Sequence, residues 1–146
     1  MLSVIVETAD AGDRLPALLA CLTSASVEGL VREVLIAGGG PPELLAVLRE
    51  ETGAELAADL GGALGMARSE VLLVLPAKIR LKPGWLEALA RHMRGAGGDA
   101  LIEGEARFLQ RRPYGLLIGR EAVAGLVHPD LKRLRGKLAR GAVRLA

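Results

Sequence analysis

Three short stretches carry the residue types from which a site could be built. The apolar run EVLLVL (70–75) stops at Pro76-Ala77-Lys78, with Arg80 and Lys82 close behind. In α/β proteins, ligands gather just beyond the carboxyl end of such a strand. A lysine there is a compact point charge suited to a phosphate. A second apolar run, residues 2–8, ends in Glu7 and Thr8 and is followed by Asp10 and Asp13. Asp13 reads most simply as a helix cap, whereas Asp10 is divided between a site role and a plain turn. The third run, 31–37, leads into Gly38-Gly39-Gly40-Pro41-Pro42.

Glycines between a strand and a helix let backbone N–H groups approach a phosphate. Against that reading, neither G-x-G-x-x-G nor a Lys-Ser/Thr loop ending is present. Pro41 and Pro42 also remove two donors. A tight strand-to-helix turn is the simpler account of the stretch. The Gly-rich segment 58–70 divides in the same way. It could admit a ligand close to backbone, but close packing of Gly61, Gly62 and Gly65 on the sheet is the simpler account. Ser3, Ser24, Ser26 and Ser69 occur in no nucleophile-elbow setting. His92 lies among arginines on an expected surface helix, and His128 precedes a proline in an expected loop.

These stretches need a frame to bring them together, and the pattern of elements supplies one. Strands are expected at 2–8, 31–37, 54–58, 70–75, 99–109, 114–119 and 142–145. Helices are expected from Asp13 to about Ser24, over 43–51 (ended by Gly53), 60–68, 85–94 (with Pro83 as first helical residue), 120–127 and 131–138. Strands alternating with helices predict a mostly parallel sheet with helices on both faces. No linker or internal repeat divides the 146 residues, a length that supports one domain with a real core.

Composition narrows the classes further. Hydrophobic residues make up 51% and aromatics only 2%, so the core must be built from Leu, Val, Ile and Ala. Stacking platforms for single-stranded nucleic acid need several aromatics, so nucleic acid ranks last among partners. With one cysteine, Cys21, and two histidines, no internal disulfide forms and a four-ligand zinc site is disfavoured. A reducing cytoplasm fits, since the N-terminus lacks a basic n-region and no apolar run approaches a membrane span. Charge is unevenly spread. Residues 1–105 carry nine Lys/Arg against fifteen Asp/Glu, a net of −6; residues 106–146 carry ten against two, a net of +8. The basic segment 131–146 could meet an acidic protein or an anionic membrane surface, which would place the chain at the inner face of that membrane. A solvated helix that offsets the acidic body is the alternative.

The order of segments LSVIVETADAGDRLPALLACL, REVLIAGGGPPELLAVL and ARSEVLLVLPAKIRLKPGWLEAL resembles family 2 glycosyltransferases of the GT-A fold. The similarity covers about residues 2–90, with an echo in YGLLIGREAVAGL (114–126). It implies a single Rossmann-like α/β domain over 1–146, with a nucleotide-binding half (1–96) and a shortened acceptor half (97–146). It implies that Thr8, Asp10, Gly38 and Gly39 lie at a nucleotide, that Lys78 lies at a diphosphate, and that Asp130 stands nearest to a catalytic base. The family's metal-binding Asp-x-Asp corresponds here to Pro76-Ala77-Lys78, and its base-contacting Asp to Ala37. Divalent cations take oxygen ligands, which proline and lysine side chains do not supply. The expectation is therefore no metal cofactor, with a nucleotide sugar as the potential ligand. The first reading is a degenerate transferase acting as a binding or scaffold module. The second is an active, metal-independent glycosyltransferase in which Lys78 replaces the metal charge.

Overall fold

The computed structural model describes residues 1–8, 14–95, 97–106, 113–127, 129–138 and 142–145. Asp10, Asp13 and His128, named above, lie outside the described residues. In chain order the elements are β1 (Leu2–Glu7), α1 (Leu15–Val27), β2 (Val31–Ala37), α2 (Pro42–Thr52), β3 (Glu55–Ala57), α3 (Leu60–Met66), β4 (Val71–Pro76), α4 (Trp85–Arg94), β5 (Ala100–Glu103), β6 (Tyr114–Gly119), α5 (Arg120–Val123), α6 (Leu131–Arg135) and β7 (Val143–Leu145). The strands form one sheet in the order β3-β2-β1-β4-β6-β5-β7. Strands β1 to β4 pair in parallel, β6 runs antiparallel to both β4 and β5, and β7 pairs parallel to β5.

The sheet is covered on both faces, which is why its central strands are apolar without alternation. Leu72, Leu73, Val74 and Leu75 are all fully buried. On one face Leu2, Val4, Val6, Leu73 and Leu75 pack with Leu18, Leu19 and Leu22 of α1, Leu45 of α2 and Leu89 of α4. On the other, Ile5, Leu35, Leu72, Val74 and Leu116 pack with Leu60 and Ala63 of α3, Val123 of α5 and Leu134 of α6. The architecture is thus a single α/β layer structure, as the alternation of elements predicts. Among the described residues, no helix is long and apolar enough to cross a membrane.

Several boundaries differ from the sequence expectation, each for a local reason. Pro83 is not helical. Trp85 N–H donates to Lys82 O at 3.1 Å, and Gly84 has φ 83°, so Lys82 to Trp85 form a turn with Pro and Gly at its two central positions. Helix α5 stops at Val123, where Ala124 turns extended and Gly125 takes φ 77°. Helix α6 ends at Arg135 rather than at residue 138, and β5 ends at Glu103. Helix α3 is capped by Asp59, whose carboxylate accepts from Gly62 N–H at 2.7 Å. Its glycines do not lie flat on the sheet. Gly61 meets the Pro129 ring, Gly62 meets its own cap, and Gly65 faces open space, while Leu60 and Ala63 face the core. His92 is half-buried instead of exposed, with Nε2 2.9 Å from Gly98 O.

At the opposite end of the sheet from the candidate site, a polar staple joins the strands. Glu33 on β2 accepts from the Ser3 hydroxyl at 2.6 Å and from Arg68 N–H at 2.7 Å, and Ser69 N–H donates to Ser3 Oγ at 3.2 Å. These bonds explain how the Ser3 hydroxyl can be buried. Ser3 is thereby a structural residue.

Gly115 in β6 sits where the sheet is tightest. A Cβ there would overlap Leu75 Cδ2 and lie 2.9 Å from Ile102 Cγ2 and 3.0 Å from Val74 O. Overpacking of this kind costs about 1–3 kcal/mol. Gly115→Ala is expected to lower the unfolding free energy measured by urea denaturation by that amount, whereas Gly65→Ala, which meets nothing, should leave it unchanged or raise it.

Candidate functional site

Strands β1, β2 and β4 end at one level. Glu7 stands between Ala37 of β2 and Pro76 of β4 in the parallel register. The chain leaves all three strands here, and backbone bonds tie the exits together. Thr8 N–H donates to Ala37 O at 3.0 Å, Ala77 N–H to Glu7 O at 2.8 Å, and Gly38 N–H to Ala57 O at 3.1 Å. Thr8, Gly38, Gly39 and Lys78, chosen from the sequence, are thereby gathered along one edge.

Thr8 is buried, and its hydroxyl has two acceptors: Ala37 O at 3.1 Å and Gly39 O at 2.8 Å. A hydroxyl has one proton to give, so these carbonyls share it. Thr8 acts first as the strut that holds the turn after β2. Gly38 shows the same constraint from the other side. It has φ 109°, and a Cβ would lie 2.8 Å from Thr8 Oγ1. Only glycine satisfies both conditions. Gly39, the next residue, is exposed. Beside the turn an open, mostly apolar hollow of about 510 Å³ is lined by Gly40, Pro42, Leu45, Arg49 and Leu56, among others.

Beyond β4, the side chain of Ala77 is buried while Lys78 is exposed. The segment then turns back into the core through Ile79, and its next carbonyl, Arg80 O, accepts from Glu105 N–H at 2.7 Å. Gly104 permits that crossing, since a Cβ there would lie 2.6 Å from Ile79 Cγ1 and 2.9 Å from Arg80 O. The loop bearing Lys78 is therefore anchored on both sides.

Asp130 caps α6, accepting from Arg133 N–H at 2.8 Å. The adjoining Pro129 ring packs on Gly61 at the start of α3, with 3.4 Å to its Cβ position. Since α3 follows β3, this contact brings Asp130 to the same end of the sheet, but its carboxylate is engaged as a cap. The sequence reading passed over two features. Glu7 is at the centre of the edge. Arg135, within the basic segment, lies with its guanidinium carbon 4.7 Å from the centroid of the Tyr114 ring. Tyr114 opens β6 two residues before Leu116, whose partner on β4 is Val74, two residues before Pro76. No periodicity in the sequence predicts this meeting, because it depends on β6 running antiparallel.

A metal would need several oxygen, nitrogen or sulfur ligands at this edge. The side chain of Pro76 has no donor atom and the ammonium of Lys78 has no lone pair to give, and among the described residues no group of three or more His, Cys, Asp or Glu side chains could hold a metal ion. The residues at the end of β4 do not fit a divalent cation.

No protein-family model matches the chain, and no curated protein matches it. Solved structures do. The fold is that of GT-A-type nucleotide-sugar transferases. Glucosyl-3-phosphoglycerate synthase from Mycobacterium tuberculosis, solved with Mn²⁺, uridine diphosphate and glucosyl-3-phosphoglycerate, superposes with TM-score 0.68 at 15% identity, over 99% of this chain and 70% of that one. Mannosyl-3-phosphoglycerate synthase from Rubrobacter xylanophilus gives TM-score 0.61 at 14% identity, over 84% of this chain and 54% of that one. The 4-diphosphocytidyl-2C-methyl-D-erythritol synthase of Anaerococcus prevotii gives 0.66 at 10% identity, over 100% and 88%.

The contact between Thr8 and Gly38 yields a double-mutant test. Gly38→Ala should destabilise through both its φ and its clash with Thr8 Oγ1. In a Thr8→Ala background the clash is gone and only the backbone strain remains. Denaturant unfolding of the two singles and the double is expected to show a favourable coupling of about 0.5–3 kcal/mol; strict additivity would mean that the two residues do not constrain each other.

Proposed function

We propose that this chain is a GT-A-type domain that does not carry out metal-assisted sugar transfer and serves as a binding module. Its ligand is a nucleoside diphosphate or nucleotide sugar, held at the edge formed by β1, β2 and β4. The observation that carries this reading is the end of β4, where an exposed lysine follows a proline. Metal-assisted transfer needs a cation to neutralise the charge developing on the leaving diphosphate. A lysine ammonium repels such a cation and attracts the diphosphate itself. The fold supports the ligand class, because the glucosyl-3-phosphoglycerate synthase that it resembles was solved with uridine diphosphate and with UDP-glucose.

Two further features support a binding role over a transfer role. The hydroxyl of Thr8 is shared between two backbone carbonyls, and the Asp130 carboxylate is engaged with its own helix. Neither is set up as a base poised on an acceptor hydroxyl, which must lie within hydrogen-bond reach. The second reading, an active metal-independent transferase, rests on the exposure of Lys78 at the strand end. In it, Lys78 would offset the leaving-group charge and Asp130 would have to release its cap. The basic segment 131–146 remains the candidate surface for an acidic protein or an anionic membrane.

A reconstruction separates these readings. Wild-type protein is expected to hydrolyse UDP-glucose no faster than buffer, with Mn²⁺ or with chelator. Pro76→Asp/Lys78→Asp should convert its uridine diphosphate binding from Mn²⁺-independent to Mn²⁺-dependent, read by calorimetry. Turnover by the wild type in chelator, abolished in Lys78→Ala, would favour the transferase instead. Turnover that requires Mn²⁺ would overturn both.

A further inference from the structure

We infer that Arg135, laid on the ring of Tyr114, is the second fixed cation of this edge, and that with Lys78 it forms a metal-free site for a diphosphate. The inference rests on the binding reading above and assigns the charge that such binding requires. Lys78 alone supplies one positive charge, where a nucleoside diphosphate brings two or more negative ones.

The geometry places Arg135 at the site rather than in a general basic surface. Helix α6 packs on β6 through the fully buried Leu134. The next residue, Arg135, meets the Tyr114 ring at 4.7 Å, within the distance at which a ring face attracts a guanidinium. Tyr114 shares its face of β6 with Leu116 and Ile118, by strand alternation, and it lies two residues before Leu116, whose partner Val74 lies two residues before Pro76. Lys78 follows two residues later and is exposed. The two cations therefore approach one end of the sheet from different elements, one anchored by β4 and one by α6.

The contact also suits the chemistry. A guanidinium held over a ring keeps N–H donors for phosphate oxygens. It fixes a long side chain before the ligand arrives, which reduces the ordering cost of binding. Among the described residues, no carboxylate pairs with Arg135 or with Lys78. The ion pairs formed there join Arg68 to Glu33 and Glu55, and Arg144 to Glu103. Arg144 thus neutralises a carboxylate on β5, whereas none of the ion pairs among the described residues involves Arg135.

The test is calorimetric titration of the full chain with uridine diphosphate in chelator. Arg135→Gln is expected to weaken binding by about tenfold, the scale of one charge-assisted hydrogen bond. Tyr114→Leu, which keeps an apolar side chain but removes the ring face, should weaken it by a smaller factor, about threefold. Arg91→Gln, in the last turn of α4, controls for loss of net charge and should leave binding unchanged. If wild type binds and Arg135→Gln behaves like Arg91→Gln, this assignment fails while the binding reading stands. If wild type does not bind in chelator, both fail. Circular dichroism and the unfolding midpoint of each variant separate loss of the site from loss of the fold.

Discussion

The site depends on one constraint: β1, β2 and β4 end together, and the chain must leave all three without exposing unpaired backbone. The Thr8 side chain fills the space that a Cβ at position 38 would need, and its hydroxyl satisfies the carbonyls of the turn. The same arrangement leaves Gly39 exposed at the edge and directs the chain into α2. From this strut follow the level of the edge, the position of the hollow beside it, and the place where Lys78 emerges.

Around that edge Glu7 stands at the centre, β4 ends in Pro76, and the exposed Lys78 follows two residues later. A second cation arrives from the far end of the chain, held by an aromatic ring. A fixed ammonium and guanidinium differ from a divalent ion in one respect that matters chemically. They bind a diphosphate without drawing electron density from it as a Lewis acid would. Under the proposed binding role these charges hold the diphosphate in its resting state, with no base set on an acceptor to use them for leaving-group stabilisation.

Much of the fold was legible because burial on two faces leaves a clear trace. The run Leu72–Leu75 could only be a central strand, and the segments around Leu18–Leu22 and Leu45–Leu48 have the spacing of helices that cover it. Resemblance to the GT-A pattern then placed Thr8, Gly38, Gly39 and Lys78 at one edge, where the register gathers them. What was illegible is instructive. Pro83 fits a helix start as well as a turn, and Gly84 decides in favour of the turn only through its positive φ. The glycines of α3 resemble packing residues, but Gly61 faces Pro129, some 68 positions away. The Tyr114–Arg135 contact joins a strand to a five-residue helix whose placement depends on the antiparallel insertion of β6. Local pattern carries no information about such meetings, because they are set by topology.

The most direct measurement is the thermal shift produced by uridine diphosphate, recorded with Mn²⁺ and with chelator. Ligand that binds the native state raises the melting temperature according to its concentration relative to Kd. A metal-free diphosphate site predicts a shift at millimolar ligand that is the same in both conditions. A shift that appears only with Mn²⁺, or no shift in either condition, would contradict the account.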